Sequence, residues 1–168
     1  MDQSGSMTDS VIYGTVVGCI LASISSLKTH VIAFDTEVVN LTEQCGTDQV
    51  DMLFGIQLGG GTNINKSVTY CETLITEPAK TIFILLTDLY EGGNQSSLLK
   101  RLENIKASGV KCMVMLALSD RGKPSYDETL ASKITGMGIP CFYCTPGKLP
   151  DIFTDLLKGN DISVKQNK

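Results

Sequence analysis

Apolar positions along the chain change rhythm several times, and each change marks an element. Residues 7–28, "MTDSVIYGTVVGCILASISSLK", carry apolar side chains at helical spacing around much of the surface, which predicts a well-buried helix. Gly14 and Gly18 within it lower helix propensity but let another backbone approach closely. "HVIAFD" reads as a short strand and "EVVNL" as its hairpin mate or neighbour. "VDMLFGI" reads as a short helix, and "NINKSVTYCETLIT" as another with Asn63 or Thr62 near its cap. "KTIFILLTD" is a continuous apolar run of strand length, which fits a central parallel strand covered on both faces. "SSLLKRLENIKASG" follows as a helix with Ser caps in front and Gly109 as its stop. "VKCMVMLALSD" is a strand, "SYDETLASKITGMG" a helix, "IPCFYCT" a strand and "GKLPDIFTDLLKG" a closing helix.

Strand and helix thus alternate, which predicts an α/β fold: a doubly wound, mostly parallel open sheet with helices on both faces, Rossmann-like. One domain is expected over residues 1–159, with a polar tail at 160–168 that frays. Ligands gather beyond the carboxyl ends of strands in such sheets. The polar residues expected there are Asp35, Thr87, Asp88, Ser119, Asp120 and Thr145. The first helix has no strand before it. A feeding strand that ended just ahead of Asp2 would bring "DQSGS" to the same edge.

Composition narrows the function. The 168 residues suit one sizeable core, with 42% hydrophobic and 19% charged residues. The formal net charge of -4, with no cluster of Lys and Arg, argues against nucleic acid as the main partner. No apolar run is long enough to span a bilayer, and the start lacks a basic region followed by an apolar core. A cytoplasmic, reducing setting is therefore expected. Cys19, Cys71, Cys112, Cys141 and Cys144 lie in apolar or helical patterns, which reads as buried free thiols. Cys141 and Cys144 form a C-x-x-C, but an offset of three in a strand turns them to opposite faces, which disfavours a zinc or dithiol site.

Three segments at strand-to-helix junctions hold the candidate chemistry. "DQSGS" gives Asp2, Ser4 and Ser6; "LGGGTN" gives Thr62 in a Gly-rich turn; "LLTDLYEGG" gives Asp88 at the end of the most apolar strand. Two carboxylates and three hydroxyls are all hard oxygens, the chemistry of Mg2+ or, less tightly, Ca2+ or Mn2+. Three neutral hydroxyls leave such an ion electrophilic, with room for an outside carboxylate. The plain alternative is an Asx or Ser turn capping the first helix and an ordinary capped loop.

These residues resemble the von Willebrand factor A domain and its metal-ion-dependent adhesion site. "DQSGSM" matches the first motif through Asp2, Ser4 and Ser6, "GGGT" the second through Thr62, and "LLTD" the third through Asp88. The resemblance implies metal binding by the two Ser, by Thr62 directly or through water, and by the two Asp often through water. More narrowly, "FDTEVVNLT", "LGGGTNI", "DLYEGG", "LALSDRGKPSYDETLA", "GIPCFYCTP" and "LPDIF" resemble the carboxyl-terminal domain of bacterial CoxE-like proteins. That resemblance implies a protein partner, a MoxR-type AAA+ ATPase or its client, which supplies an Asp or Glu to the metal. It also implies a central first strand ending at the first Asp, where Met1 stands here. A preceding segment, or a second copy in a dimer, would then complete the sheet.

Other readings stay beside this one. Asp35, Glu91 and Asp120 are candidate rim carboxylates that make the edge acidic, or plain loop caps. A scaffold domain whose metal only braces loops would use the same ligands. A Mg2+-dependent phosphohydrolase would need a charge-stabilising cation, and only Lys66 stands near the motifs. There is no phosphate-binding G-x-x-x-x-G-K-[ST] run, and His30 sits at the wrong end of its strand for a Ser–His pairing. A binding module rather than an enzyme is expected.

Overall fold

The computed structural model describes residues 1–44, 59–118 and 124–158. The expected helix "VDMLFGI", the residues Cys45, Ser119 and Asp120, and the tail from residue 159 lie outside them. The chain begins with a 3-10 turn over Gly5–Ser10 that leads into α1, Val11–Ala22. The strand β1, Ile32–Phe34, folds back on β2, Val38–Asn40, as an antiparallel pair. Then come α2 (Ile64–Glu72), β3 (Ile82–Thr87), α3 (Gln95–Ala107), β4 (Lys111–Leu116), α4 (Glu128–Gly136), β5 (Cys141–Phe142) and α5 (Leu149–Lys158). β3, β4 and β5 form a parallel sheet in that order.

Alternation along the strands sorts the core into two layers. Phe83, Leu85, Cys112, Val114 and Cys141 face α2, α3 and α4, where Val68, Leu102 and Ile134 meet them. Leu86, Met113, Met115, Phe142 and Cys144 face α1 and α5, against Tyr13, Val17 and Leu149. The sheet is therefore covered on both sides, as expected, and its strands are apolar between the terminal Lys111 and Thr87 because neither face meets water. Cys141 and Cys144 fall in opposite layers, as the strand offset requires. α1 sits close to the sheet because Gly14 has no side chain: a Cβ there would stand 3.0 Å from Leu86 Cδ2.

Several boundaries differ from the sequence expectation. The first helix ends at Ala22, not near residue 28, since "SISS" follows and Ser hydroxyls compete for backbone groups; Ser23 Oγ donates to the Ile20 carbonyl at 2.7 Å. Ile12 on that helix is 59% exposed, so its burial is one-sided despite the apolar surround. The cap of α3 is Asn94, whose side chain accepts from the Ser97 N–H, rather than a Ser. The last strand contracts to Cys141–Phe142.

Met1–Gln3 joins the two sheets. The Met1 amino group donates to the Ile32 carbonyl at 2.7 Å, and Phe34 N–H donates to the Met1 carbonyl at 3.0 Å. Gln3 N–H donates to Phe34 O at 2.8 Å, while Asp2 N–H donates to Leu86 O at 2.8 Å on the other side. β3 is thus the edge strand of its sheet, where the sequence predicts a central one: beyond β4 its only backbone hydrogen bond on the outer side, among the described residues, is the one from Asp2 to Leu86. Toward its amino end the backbone groups of Ile82 and Ile84 face a cavity of about 390 Å³ that Val31 and the β1 residue Ile32 line from the other side. A strand reaching these groups is expected to stabilise the fold. Joining an apolar segment of about five residues, the length that matches Ile82–Leu86, ahead of Met1 should fill this cleft. The melting temperature should rise by about 5 °C or more, and any dimer formed through the same cleft should dissociate. Thermal melting and sedimentation of both lengths check this; equal stability of the two as monomers would refute it.

Candidate metal centre

Met1–Gln3, β1 and β3 end at one edge, and the loops that leave them meet there. Asp2 is 1% exposed. Its Oδ1 accepts the Ser4 N–H at 3.0 Å, an Asx turn that bends the chain immediately after the strand position. Its Oδ2 accepts the Thr87 hydroxyl at 2.6 Å. Ser4 is buried and its Oγ lies 3.2 Å from Ser6 Oγ. Asp88 is 2% exposed, lies beside the Ser6 side chain, and takes the Tyr90 N–H on Oδ1 at 3.1 Å. Asp2, Ser4, Ser6 and Asp88 therefore belong to one small polar network.

Thr62 reaches that network through backbone rather than side-chain bonds. Gly5 N–H donates to Gly60 O at 3.0 Å, so the Gly-rich loop lies against the Ser4–Ser6 turn. Gly92 N–H donates to Thr62 O at 3.0 Å, so the same loop lies against the one after Asp88. Asn63, not Thr62, caps α2, accepting the Lys66 N–H at 2.9 Å. Thr62 is half-buried and left out of the capping.

The expected acidic rim takes a different form. Asp35 is buried, and its carboxylate accepts N–H groups from Glu37 at 2.7 Å, Gly60 at 3.1 Å and Gly59 at 3.3 Å. Burial alone would raise its carboxyl, but the backbone donors outweigh it and hold it below the usual carboxylate range. Glu91 is half-buried; its Oε2 accepts the Ile64 N–H at 2.6 Å and its Oε1 the Gly93 N–H at 3.1 Å. Both side chains turn inward to loop amides and do not line a solvent rim.

Two contributors go beyond the sequence reading, which places Thr87 only as a polar strand end and Leu89 not at all. Thr87 reads as the last residue of an apolar strand, yet its hydroxyl holds Asp2 and accepts the Leu89 N–H at 3.0 Å. Leu89 is fully buried with φ 64, a left-handed conformation uncommon for a bulky residue and one that reverses the chain just after Asp88. The signal available was the position of Thr87 directly before the acid in "LLTD"; nothing in the sequence points to Leu89.

Asp88 Oδ2 is buried and has no hydrogen-bond partner. Burial pushes its carboxyl above the ordinary 3.8, and the charge of Asp2 adds to this against the Ser6 side chain and the Tyr90 N–H. An orphaned carboxylate oxygen among hydroxyls is the donor set a hard divalent cation takes. No group of three or more His, Cys, Asp and Glu is arranged for a metal among the described residues, so hydroxyls would have to supply the remaining ligands.

An open α/β sheet whose strand-end loops present Asp, Ser, Ser, Thr and Asp defines the von Willebrand factor A class. The chain belongs to the family of VWA domain containing CoxE-like proteins, whose model matches residues 1–152. It is 42% identical over 149 residues to the uncharacterized protein YehP of Escherichia coli (strain K12), covering 89% of this chain and 39% of that protein. The chain thus spans less than half the length of that relative. Among solved structures, an aerotolerance-related membrane protein from Bacteroides fragilis NCTC 9343 superposes with a TM-score of 0.70 at 14% identity, over 94% of this chain and 96% of that one. BatB from Bacteroides thetaiotaomicron gives 0.66 at 14% identity, over 94% of each chain. At that identity the two structures speak to the fold alone. Members of the CoxE-like family are non-catalytic interaction modules. No described helix is long and apolar enough to cross a membrane.

The buried Asp88 charge sets a testable trade-off. A carboxyl whose folded pKa is raised contributes stability below its unfolded value, and that contribution is lost as pH rises through the folded value. Metal-free Asp88→Asn should therefore melt at least as high as the parent at neutral pH, with its relative advantage growing from acid toward neutral pH. Saturating Mg2+, at about 100 times the dissociation constant, should raise the parent by about 5–10 °C and leave the variant unmoved. Melting curves with Mg2+ and with EDTA across pH check both signs.

Proposed function

We propose that this domain is a metal-dependent protein-interaction module, in which one hard divalent cation, Mg2+ first, is held by Ser4, Ser6 and Thr62 with Asp2 and Asp88 close by. The observation that carries the reading is the buried Asp88 oxygen without a partner, at the point where three loops meet. A cation there would satisfy that oxygen and leave a coordination position for an Asp or Glu of a partner. Such a contact is charge-assisted and directional, so it sets register as well as affinity. Family membership supports a protein partner, and a MoxR-type AAA+ ATPase or its client is the candidate.

The brace reading, in which the metal only ties the loops together, has less to explain. Direct backbone bonds already hold them: Gly5 N–H to Gly60 O, Gly92 N–H to Thr62 O, and Asn63 N–H to Asp35 O at 2.9 Å. Inward-turned Asp35 and Glu91 also leave fewer exposed charges to repel an acidic partner than the sequence suggested.

Titration calorimetry should show one Mg2+ or Mn2+ site, lost or weakened at least about 10-fold in Asp88→Ala. Unchanged affinity would refute the ligand assignment. Partner capture from cell extract by this chain should depend on Mg2+ over EDTA and fail in Ser4→Ala and Thr62→Ala. Capture of the same proteins in every arm would refute the metal bridge.

A further inference from the structure

Thr62 is the one proposed ligand whose side chain is not tied into the Asp2–Ser4–Ser6–Asp88 network, so something else must set where its hydroxyl points. The loop that carries it is held at two ends. On one side Asp35 takes the Gly59 and Gly60 N–H groups on its carboxylate and the Asn63 N–H on its carbonyl. On the other, the segment after Asp88 returns to the loop. Leu89 reverses the chain at φ 64, Glu91 Oε2 accepts the Ile64 N–H at 2.6 Å, and Gly92 N–H grips the Thr62 carbonyl. Gly92 fits only because it lacks a side chain: a Cβ would stand 2.6 Å from Thr62 O. Glu91 also spans its own turn, taking the Gly93 N–H on Oε1, so its carboxylate fixes Gly92 from both flanks.

We infer that Glu91 is a positioning residue for Thr62: its carboxylate locks the Glu91–Gly93 turn onto the start of α2 and so presents the Thr62 hydroxyl to the cation. This inference rests on the metal-site reading above. It makes Asp88 and Glu91, three residues apart, two ends of one device. The first meets the ion, and the second orients the neutral ligand that completes its shell. Outer residues that orient ligands typically govern affinity by 10- to 100-fold when removed.

Glu91 could instead act through space, as one more negative charge near the ion. The two cases separate by substitution. Glu91→Gln removes the charge but keeps an oxygen for the Ile64 N–H; Glu91→Ala removes both. Gly92→Ala pushes on the Thr62 carbonyl without altering charge. Mn2+ affinity is read by calorimetry, with melting curves to establish that each variant folds. Glu91→Ala and Gly92→Ala should each weaken Mn2+ by about 10-fold, with Glu91→Gln recovering most of that loss. In a Thr62→Ala background, Glu91→Ala should cost almost nothing further, because the ligand it positions is gone. Equal loss in Glu91→Gln and Glu91→Ala, full additivity with Thr62→Ala, or no loss at all would each overturn the inference. Should Glu91→Ala not fold, Gly92→Ala alone and with Thr62→Ala decides by the same criteria. If the parent and Asp88→Ala bind Mn2+ alike, or neither binds, the metal-site reading fails and this inference with it. If Asp88→Ala loses binding while Glu91→Ala keeps it, only the positioning role fails.

Discussion

The fold hinges on Asp2. Its backbone N–H bonds Leu86 of β3, its flanking residues bond β1 on the other side, and its carboxylate takes the Thr87 hydroxyl and the Ser4 N–H. One residue therefore closes the seam between two sheets and starts the turn that aims Ser4. Thr87 pairs with Leu116 in the β3–β4 ladder, so Asp2 is anchored to the best-covered part of the core. Placing a polar residue at such a junction is affordable only because both carboxylate oxygens find donors; a half-satisfied Asp there would cost about 1–3 kcal/mol.

From that seam the rest of the site follows by short steps. A strand that ends in an Asx turn delivers Ser4 and Ser6. A strand that ends in Thr-Asp delivers Asp88 and, after the left-handed Leu89, a turn able to reach α2. The Gly-rich loop fits between them because Gly5 meets Gly60, and Gly92 meets Thr62, backbone to backbone. The neighbouring sheet faces are rigid and apolar, while the edge they present is polar and built from loops. That division lets a fixed scaffold gather polar groups where its loops meet.

Much of this was legible in the sequence. The run "TIFILL" fits a strand covered on both sides, and alternation sets Cys141 and Cys144 in opposite layers. The three polar segments were readable because each falls where a strand gives way to a loop. What was not legible depended on contacts between distant residues. Asp35 and Glu91 look like solvated loop acids until the amides of Gly59, Gly60 and Ile64 are seen to reach them. Thr87 reads as a polar strand end but its bond to Asp2 does not, and Leu89 offers no hint of a positive φ. Helical spacing in the sequence predicts a first helix longer than Val11–Ala22, because it carries no mark of the local hydrogen bond by which Ser23 ends it.

Charge balance accounts for the proposed site being built mostly from hydroxyls. Asp2 and Asp88 are both buried, close enough for the charge of one to raise the carboxyl of the other. Lys66, the basic residue nearest these motifs in sequence, is committed elsewhere, to the Thr36 carbonyl and Glu37, each at 2.9 Å. A third carboxylate would add a like charge to a pocket in which Asp88 already lacks a partner for Oδ2. Ser4, Ser6 and Thr62 offer oxygens without that penalty. The same choice has a chemical consequence for a divalent ion seated there: at most two negative charges face it from the domain, so the ion retains attraction for a carboxylate from outside. A pocket with four acids would hold the metal more tightly and have little affinity left for a partner. On this reading weak self-sufficiency of the metal shell is the feature that suits an interaction module, and the unsatisfied oxygen of Asp88 is its cost in the metal-free fold.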